Sequence, residues 1–407
     1  MKAVLMIAGL SMVALAALAQ QTARPSPEVS ERAMKLQKRA IVVDTHCDVT
    51  QRLISTREKF DIAARNSRGH FDIPRAREGG LDAIFFSIYM SGRTTGPEAV
   101  ERSLRMIDAV KETVRAHPKD FLLATTAADI RRAHKEGKIA ALMGMEGGHM
   151  INESLANLRL YAELGIRYLT LTHSVNTTWA DSSTDTAKFN GLTDFGKDVV
   201  RELNRLGVMV DISHVSDKTF ADALAVTRAP MIASHSSCRA LCNAPRDMTD
   251  DMIRALAGNG GVIQITFVDS FISQPLRDAQ EKAGPERTRR ITALREKCGE
   301  DVECERRERE ALDAEFGIPK ASWELIVDHI DHAVKVAGVD HVGIGSDFDG
   351  ATMPLGMDDV SKLPKITDAL LKKGYSEKDV EKILGGNLLR VMEQVEQVSR
   401  RWNETRK

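Results

Sequence analysis

Eight short apolar runs recur along the chain, and stretches with helical periodicity separate most of them. The runs are 40–45 (AIVVDT), 82–89 (DAIFFSIY), 138–145 (KIAALMGM), 166–172 (IRYLTLT), 207–213 (GVMVDIS), 229–234 (APMIAS), 260–267 (GGVIQITF) and 340–346 (DHVGIGS). Amphipathic segments at 97–116, 153–164, 193–206, 216–227, 249–258 and 321–337 lie between them, each suited to cover a sheet. Such alternation marks successive strand–helix units with parallel strands. Eight units predict an α/β fold, a TIM-like (β/α)8 barrel. At 407 residues the chain exceeds the roughly 250 typical of that fold, so insertions are expected.

The largest insertion, near 270–315, follows the seventh run. Its sequence "PERTRRITALREKCGEDVECERREREALDAEF" sets opposite charges at helical spacing and reads as a charged, solvated helical excursion. No low-complexity linker or internal repeat divides the remainder, so residues 20–407 are expected to form one domain.

The first residues, "MKAVLMIAGLSMVALAALAQQ", place Lys2 before an apolar run ending in small residues. That order matches a secretory signal, with cleavage expected after Ala19. No cysteine follows the site to carry a lipid, and no later apolar run is long enough to span a bilayer. The C-terminal "EQVSRRWNETRK" is polar and basic, unlike a lipid-anchor tail. The mature protein is therefore expected to be soluble, and periplasmic or secreted. Without Lys2 it carries 56 basic and 58 acidic residues, a net charge of −2, which offers no footprint for nucleic acid. Small molecules are the expected partners. Of five cysteines, Cys298 and Cys304 could close a short loop in an oxidising compartment. Cys47, Cys238 and Cys242 form no framework, and an odd total leaves at least one thiol free.

The ends of the runs carry the chemistry, because barrels of this kind place reactive groups at the C-terminal ends of their strands. The first run leads into His46 and Asp48, the third into Glu146, and the fourth into His173. The fifth leads into His214, the sixth into His235 and the eighth into Asp347. A lone histidine at a strand end is more often a loop residue than a ligand. Six of eight runs delivering His, Asp or Glu at the same end is a different matter, and the histidines at 70, 117, 134, 149, 329, 332 and 341 fall off the pattern. Histidines with carboxylates bind borderline cations such as zinc, and a carboxylate can bridge two ions. On an extended strand His46 and Asp48 point the same way and can share one metal. Glu146 can bridge, and His214 with His235 can hold a second ion. That reading leaves His173 and Asp347 without a metal.

In this order, "DTHCD", "GMEGGH", "LTLTHSVNT", "DISHVSD", "IASHSSCRALCNAPRDM" and "GIGSDFDG" closely resemble the membrane (renal-type) dipeptidases, metallopeptidase family M19, among the metal-dependent amidohydrolase-like barrels. The resemblance spans about residues 40–390. It implies a binuclear zinc dipeptidase that releases two free amino acids and often tolerates a C-terminal D-residue; some relatives also open β-lactam rings. It makes His46, Asp48 and Glu146 ligands of one Zn2+ and Glu146, His214 and His235 ligands of the other. It gives His173 a substrate contact that stabilises the tetrahedral intermediate, Arg246 the C-terminal carboxylate, and Asp347 the proton transfers. A homodimer is a candidate assembly.

The chain departs from the pattern in places. Many relatives have Asn after the fourth-strand histidine; here the run is "THSVNTTWAD", so contacts near Ser174 and Asn176 are expected to differ. The insertion and the loop at 56–75 are expected to shape the pocket. No Gly-x-Ser-x-Gly elbow is present, which disfavours serine chemistry. The rivals are a metal-dependent N-acyl amino acid hydrolase or lactonase on the same barrel, and an exported amino-acid or metal-binding protein without activity.

Overall fold

The computed structural model describes residues 29–405, apart from 57–58 and 300–301; the expected signal segment lies outside these residues. Among them are nine strands: β1 (Val43–Cys47), β2 (Ala83–Tyr89), β3 (Phe121–Leu123), β4 (Ile139–Glu146), β5 (Ile166–Thr170), β6 (Met209–Asp211), β7 (Ile232–Ser236), β8 (Val262–Ile265) and β9 (Val342–Ile344). They pair in parallel in the order β1-β2-β4-β5-β6-β7-β8-β9, a nearly closed (β/α)8 barrel. The eight predicted runs are its staves. β3 was not predicted: three residues directly after a long helix are too few to show a strand period. It pairs with Ile139–Ala141 of β4, on the edge that β5 takes over from Met143.

Residues just beyond β9 close the ring. Asp347 N–H donates to the His46 carbonyl at 3.0 Å, and Asp48 N–H donates to the Phe348 carbonyl at 2.7 Å. Beneath them the Asp44 carboxylate accepts from Ser346 N–H (2.8 Å), Ser346 Oγ (2.5 Å) and His46 N–H (3.2 Å). Burial pushes this carboxyl up to about 6 even against those hydrogen bonds.

The barrel interior changes character along its axis. At the N-terminal end Val43, Ala83, Phe85, Ala140, Leu142, Met209, Ile232 and Val262 form an apolar plug. Leu388, Leu389, Val391 and Met392 of the helix Asn387–Glu404 cap it from below. Toward the other end inward residues become hydrogen-bonding ones, Thr170, Asp211 and Ser234 among them. A dry base and a polar top put the catalytic possibilities at one mouth. The covering helices start at side-chain caps, Ser154, Thr193, Ser216 and Thr249, each accepting a backbone N–H of the first turn.

The insertion is a helical hairpin, Gln274–Cys298 and Val302–Glu315, with a Cys298–Cys304 disulfide at its tip. Many of its charges pair across the hairpin: Arg287 with Asp313, Arg290 with Glu315, Arg295 with Glu305 and Lys297 with Glu308. The remaining cysteines, Cys47, Cys238 and Cys242, are buried free thiols. Among the described residues no helix is long and apolar enough to cross a membrane.

Asp44→Ala strands two buried backbone donors at the closing seam. It is expected to lower stability in urea titrations by about 2–4 kcal/mol, since each unsatisfied buried donor costs roughly 1–3 kcal/mol. Ser346→Ala strands one, the Phe348 N–H that donates to Ser346 Oγ at 3.0 Å, and should cost about half as much.

Candidate metal centre

Strict alternation along a strand would send Thr45 and His46 to opposite faces. Both nevertheless face inward: Thr45 Oγ1 donates to the Ser234 and Ile344 carbonyls, and His46 Nδ1 meets Tyr168 Oη at 2.8 Å. The reason is a register shift in β1 between Asp44 and Cys47. A second shift, in β7 between Ala233 and Ser236, does the same for Ser234 and His235. Such irregularities re-aim side chains, and here they bring the His46 and His235 rings into a stack with centroids 3.8 Å apart. His46 and Asp48 do converge, at 3.5 Å, though Asp48 lies beyond the strand.

Glu146, the last residue of β4, sits at the middle. Its Oε2 is 3.3 Å from His46 Nε2, while its Oε1 is 2.9 Å from His214 Nε2, 3.3 Å from His235 Nε2 and 3.7 Å from His173 Nε2. Ligand atoms of His46, Asp48 and Asp347 also lie within 4.8 Å of one another, as do those of Glu146, His173 and His214. The structure thus brings all seven predicted residues of the strand ends to one place, including the two that the sequence reading left without a metal.

His214 and Asp347 both hold positive φ, 67° and 64°. Non-glycine residues rarely adopt this left-handed conformation, and it concentrates at sites where surroundings over-determine the backbone. Gly350 serves the same cluster by lacking a side chain, because a Cβ there would run into the carboxylates of Asp48 and Asp347.

The electrostatics follow from crowding in a dry place. Burial works to raise the Glu146 carboxyl, but His46, His173 and the close contacts with His214 and His235 outweigh it and hold it well below the usual range. Burial drives His214 and His235 well below the usual imidazole range. Burial, reinforced by Asp48 and Glu146, holds Asp347 well above the carboxylate range. His46 Nε2 and Asp48 Oδ1 are buried without a hydrogen-bond partner. Buried orphans of this kind call for a ligand.

Outer contacts fix which imidazole nitrogens face the centre. Ser234 Oγ donates to Asp211 Oδ2 at 2.6 Å and so accepts from His235 Nδ1–H at 2.9 Å, leaving the Nε2 lone pair inward. Tyr168 Oη, 2.8 Å from His46 Nδ1, holds that ring with Nε2 toward the centre. Gly144 makes room for the Tyr168 ring, since a Cβ on β4 at that point would strike it. The strand-end rule could not find Tyr168, Ser234 or Asp211, which lie inside the barrel; the only trace in the sequence is a polar residue in an apolar run. His149, off the strand-end pattern, is beside the centre: it is buried against Gly147 and His173, and burial lowers it to about 4.

Arg246 reaches the same mouth from the loop after β7. It is 6% exposed, its Nη2 donates to the His235 carbonyl at 2.7 Å, and its Nε and Nη1 have no partner. It lines a cavity of about 440 Å³ with Ser183, Thr184, Phe271 and Arg277. Asp247, next in the chain, is a poor counter-charge, because burial pushes its carboxyl well up.

The sequence model for membrane dipeptidases, peptidase family M19, matches residues 30–406. The chain belongs to this family. Two solved structures agree with that membership. The probable dipeptidase PvdM from Pseudomonas aeruginosa is 29% identical, with a TM-score of 0.76 over 90% of this chain and 98% of its own. A metallo peptidase from Rhodobacter sphaeroides, liganded with a phosphinate mimic of the dipeptide L-Ala-D-Ala, is 28% identical, with a TM-score of 0.72 over 88% of this chain and 99% of its own. A membrane dipeptidase of this family is a metallopeptidase, so a metal cofactor is implied, and the residues fit one. Donors about 2.1 Å from a tetrahedral ion lie about 3.4 Å apart, close to the 2.9–3.7 Å spacings around Glu146.

Tyr168→Phe removes only the hydroxyl that orients His46. Losing such an outer partner typically weakens metal affinity by about 10–100-fold. Competition with a chelator should show that loss, with the far-UV circular dichroism unchanged.

Proposed function

We propose that this membrane dipeptidase family member is a binuclear zinc enzyme that hydrolyses dipeptides to free amino acids and tolerates a D-residue at the C-terminal position. His46, Asp48 and Glu146 would hold one Zn2+, and Glu146, His214 and His235 the other. Bound there, the ions would polarise the peptide carbonyl and ready a water for attack. Arg246 grips the C-terminal carboxylate through Nε and Nη1, the donors it has to spare. His173 steadies the oxyanion with a hydrogen bond. Asp347, kept protonatable by burial and its acidic neighbours, moves the proton to the departing amine. The observation that carries the reading is a meeting at one barrel mouth. One carboxylate turns an oxygen toward each of two donor sets, beside a buried guanidinium with donors unspent.

Export to the periplasm or outside the cell belongs to the same proposal, supported by the N-terminal sequence and the Cys298–Cys304 disulfide. An N-acyl amino acid hydrolase would also need a carboxylate grip. Comparing Gly-D-Ala with N-acetyl-D-Ala separates the two, and turnover of any dipeptide eliminates a purely binding role.

Elemental analysis of active protein should find about two zinc equivalents per chain, removable by chelators with loss of activity. Glu146→Gln should deplete both ions, whereas His214→Ala should deplete mainly one. A protein active without transition metal would end the proposal.

Arg246→Ala and Arg246→Lys should lower kcat/KM for dipeptides at least about 30-fold with metal content unchanged, because truncating one partner of a hydrogen-bonded charge pair costs on the order of 2–5 kcal/mol. Dipeptide amides should be poor substrates of the unaltered enzyme. Equal turnover of a dipeptide and its amide, insensitive to Arg246→Ala, would point to a general amide hydrolase.

A further inference from the structure

The cavity beside Arg246 contains a second guanidinium, that of Arg277, which the insertion supplies. Arg277 stands near the start of the helix Gln274–Cys298, and that start is tied to the Arg246 loop. Gln274 Oε1 accepts from Asn243 N–H at 2.6 Å, and Cys242 Sγ donates to the Ser270 carbonyl at 3.6 Å. Its position therefore belongs to the site rather than to a wandering surface side chain.

The two guanidiniums are unequally engaged. Arg246 is buried and keeps Nε and Nη1 unpartnered. Among the described residues Arg277, itself 22% exposed, pairs with Glu281, one helical turn on and 63% exposed, at 3.1 Å. A pair with one partner open to solvent is weak and easily exchanged. The one acidic residue lining the cavity, Asp185, is turned to its own loop: its oxygens accept from Asn176 N–H at 2.9 Å and Thr186 N–H at 2.8 Å. Ser183, whose hydroxyl is buried without a hydrogen-bond partner, lines the same wall. The cavity thus holds two guanidiniums where one α-carboxylate needs a single one.

We infer that this cavity selects dipeptides with an acidic C-terminal residue, Arg246 holding the α-carboxylate and Arg277 the side-chain carboxylate. The inference rests on the dipeptidase reading and adds the substrate class. A Glu side chain and a Gln side chain have the same shape, so their comparison isolates the charge. Arg277 contributes selectivity here because its displaced partner, Glu281, returns to solvent, whereas a neutral amide gives no ionic attraction to offset the exchange.

The test measures kcat/KM on metal-replete enzyme for Ala-Glu and Ala-Gln, with L- and D-C-terminal residues. The unaltered enzyme should favour Glu by at least about tenfold, and raised salt should erode that ratio. Arg277→Gln should bring the ratio close to one, Arg277→Lys should retain part of it, and Arg277→Glu should favour Ala-Lys over Ala-Glu. A ratio near one in the unaltered enzyme, with both dipeptides hydrolysed, overturns the inference and leaves the dipeptidase reading standing. A Glu preference that survives Arg277→Gln overturns the assignment to Arg277. Failure to hydrolyse any dipeptide brings down the underlying reading, and the inference with it.

Discussion

Four imidazoles converge on the single carboxylate of Glu146, and that convergence organises the mouth of the barrel. A buried carboxylate is unfavourable alone. It is tolerable here because His46, His173, His214 and His235, carried by four separate strand ends, surround it. The same arrangement buries His46, His214 and His235 with little but one another and the carboxylates to face, His214 Nε2 and His235 Nε2 lying 2.9 Å apart. A cation resolves both problems, which is why the donor set and the family's metal requirement agree.

Holding such a cluster requires a rigid support beneath it. The barrel provides one through a polar tier just below the mouth, where Asp211 gathers Thr170, Ser213 and Ser234, and Asp44 gathers Ser346 and His46. Each carboxylate links adjacent or facing staves and meets several donors, so the layer resists deformation. Below it the apolar plug excludes water and supplies the stabilising burial. Stability and chemistry are thereby separated along one axis.

The insertion has two parts in this design. Its ion pairs and disulfide hold the hairpin together, and its first helix brings Arg277 to the cavity beside Arg246. Charge spacing alone marked the segment as a solvated excursion. That description suits the exposed faces and misses Arg277, which precedes the run of alternating charges and lines the cavity, because nothing in the local sequence distinguishes a residue lining a cavity from one facing water.

Much of the fold was legible in the chain. Buried parallel strands must be short and apolar, so the eight staves announce themselves, and reactive groups at strand ends follow from barrel geometry. On that ground His46, Asp48, Glu146, His173, His214, His235 and Asp347 could be expected to gather at one mouth, and the structure brings them together there. Three things were decided only by tertiary structure. The inward turn of both Thr45 and His46 depends on a register slip against the neighbouring strand, which no local pattern encodes. Tyr168, Ser234 and Asp211 act through contacts between staves far apart in the chain, so their roles exist only once the ring is closed. Arg277 becomes part of the cavity because its helix docks on the Arg246 loop, a contact between surfaces rather than a property of either segment.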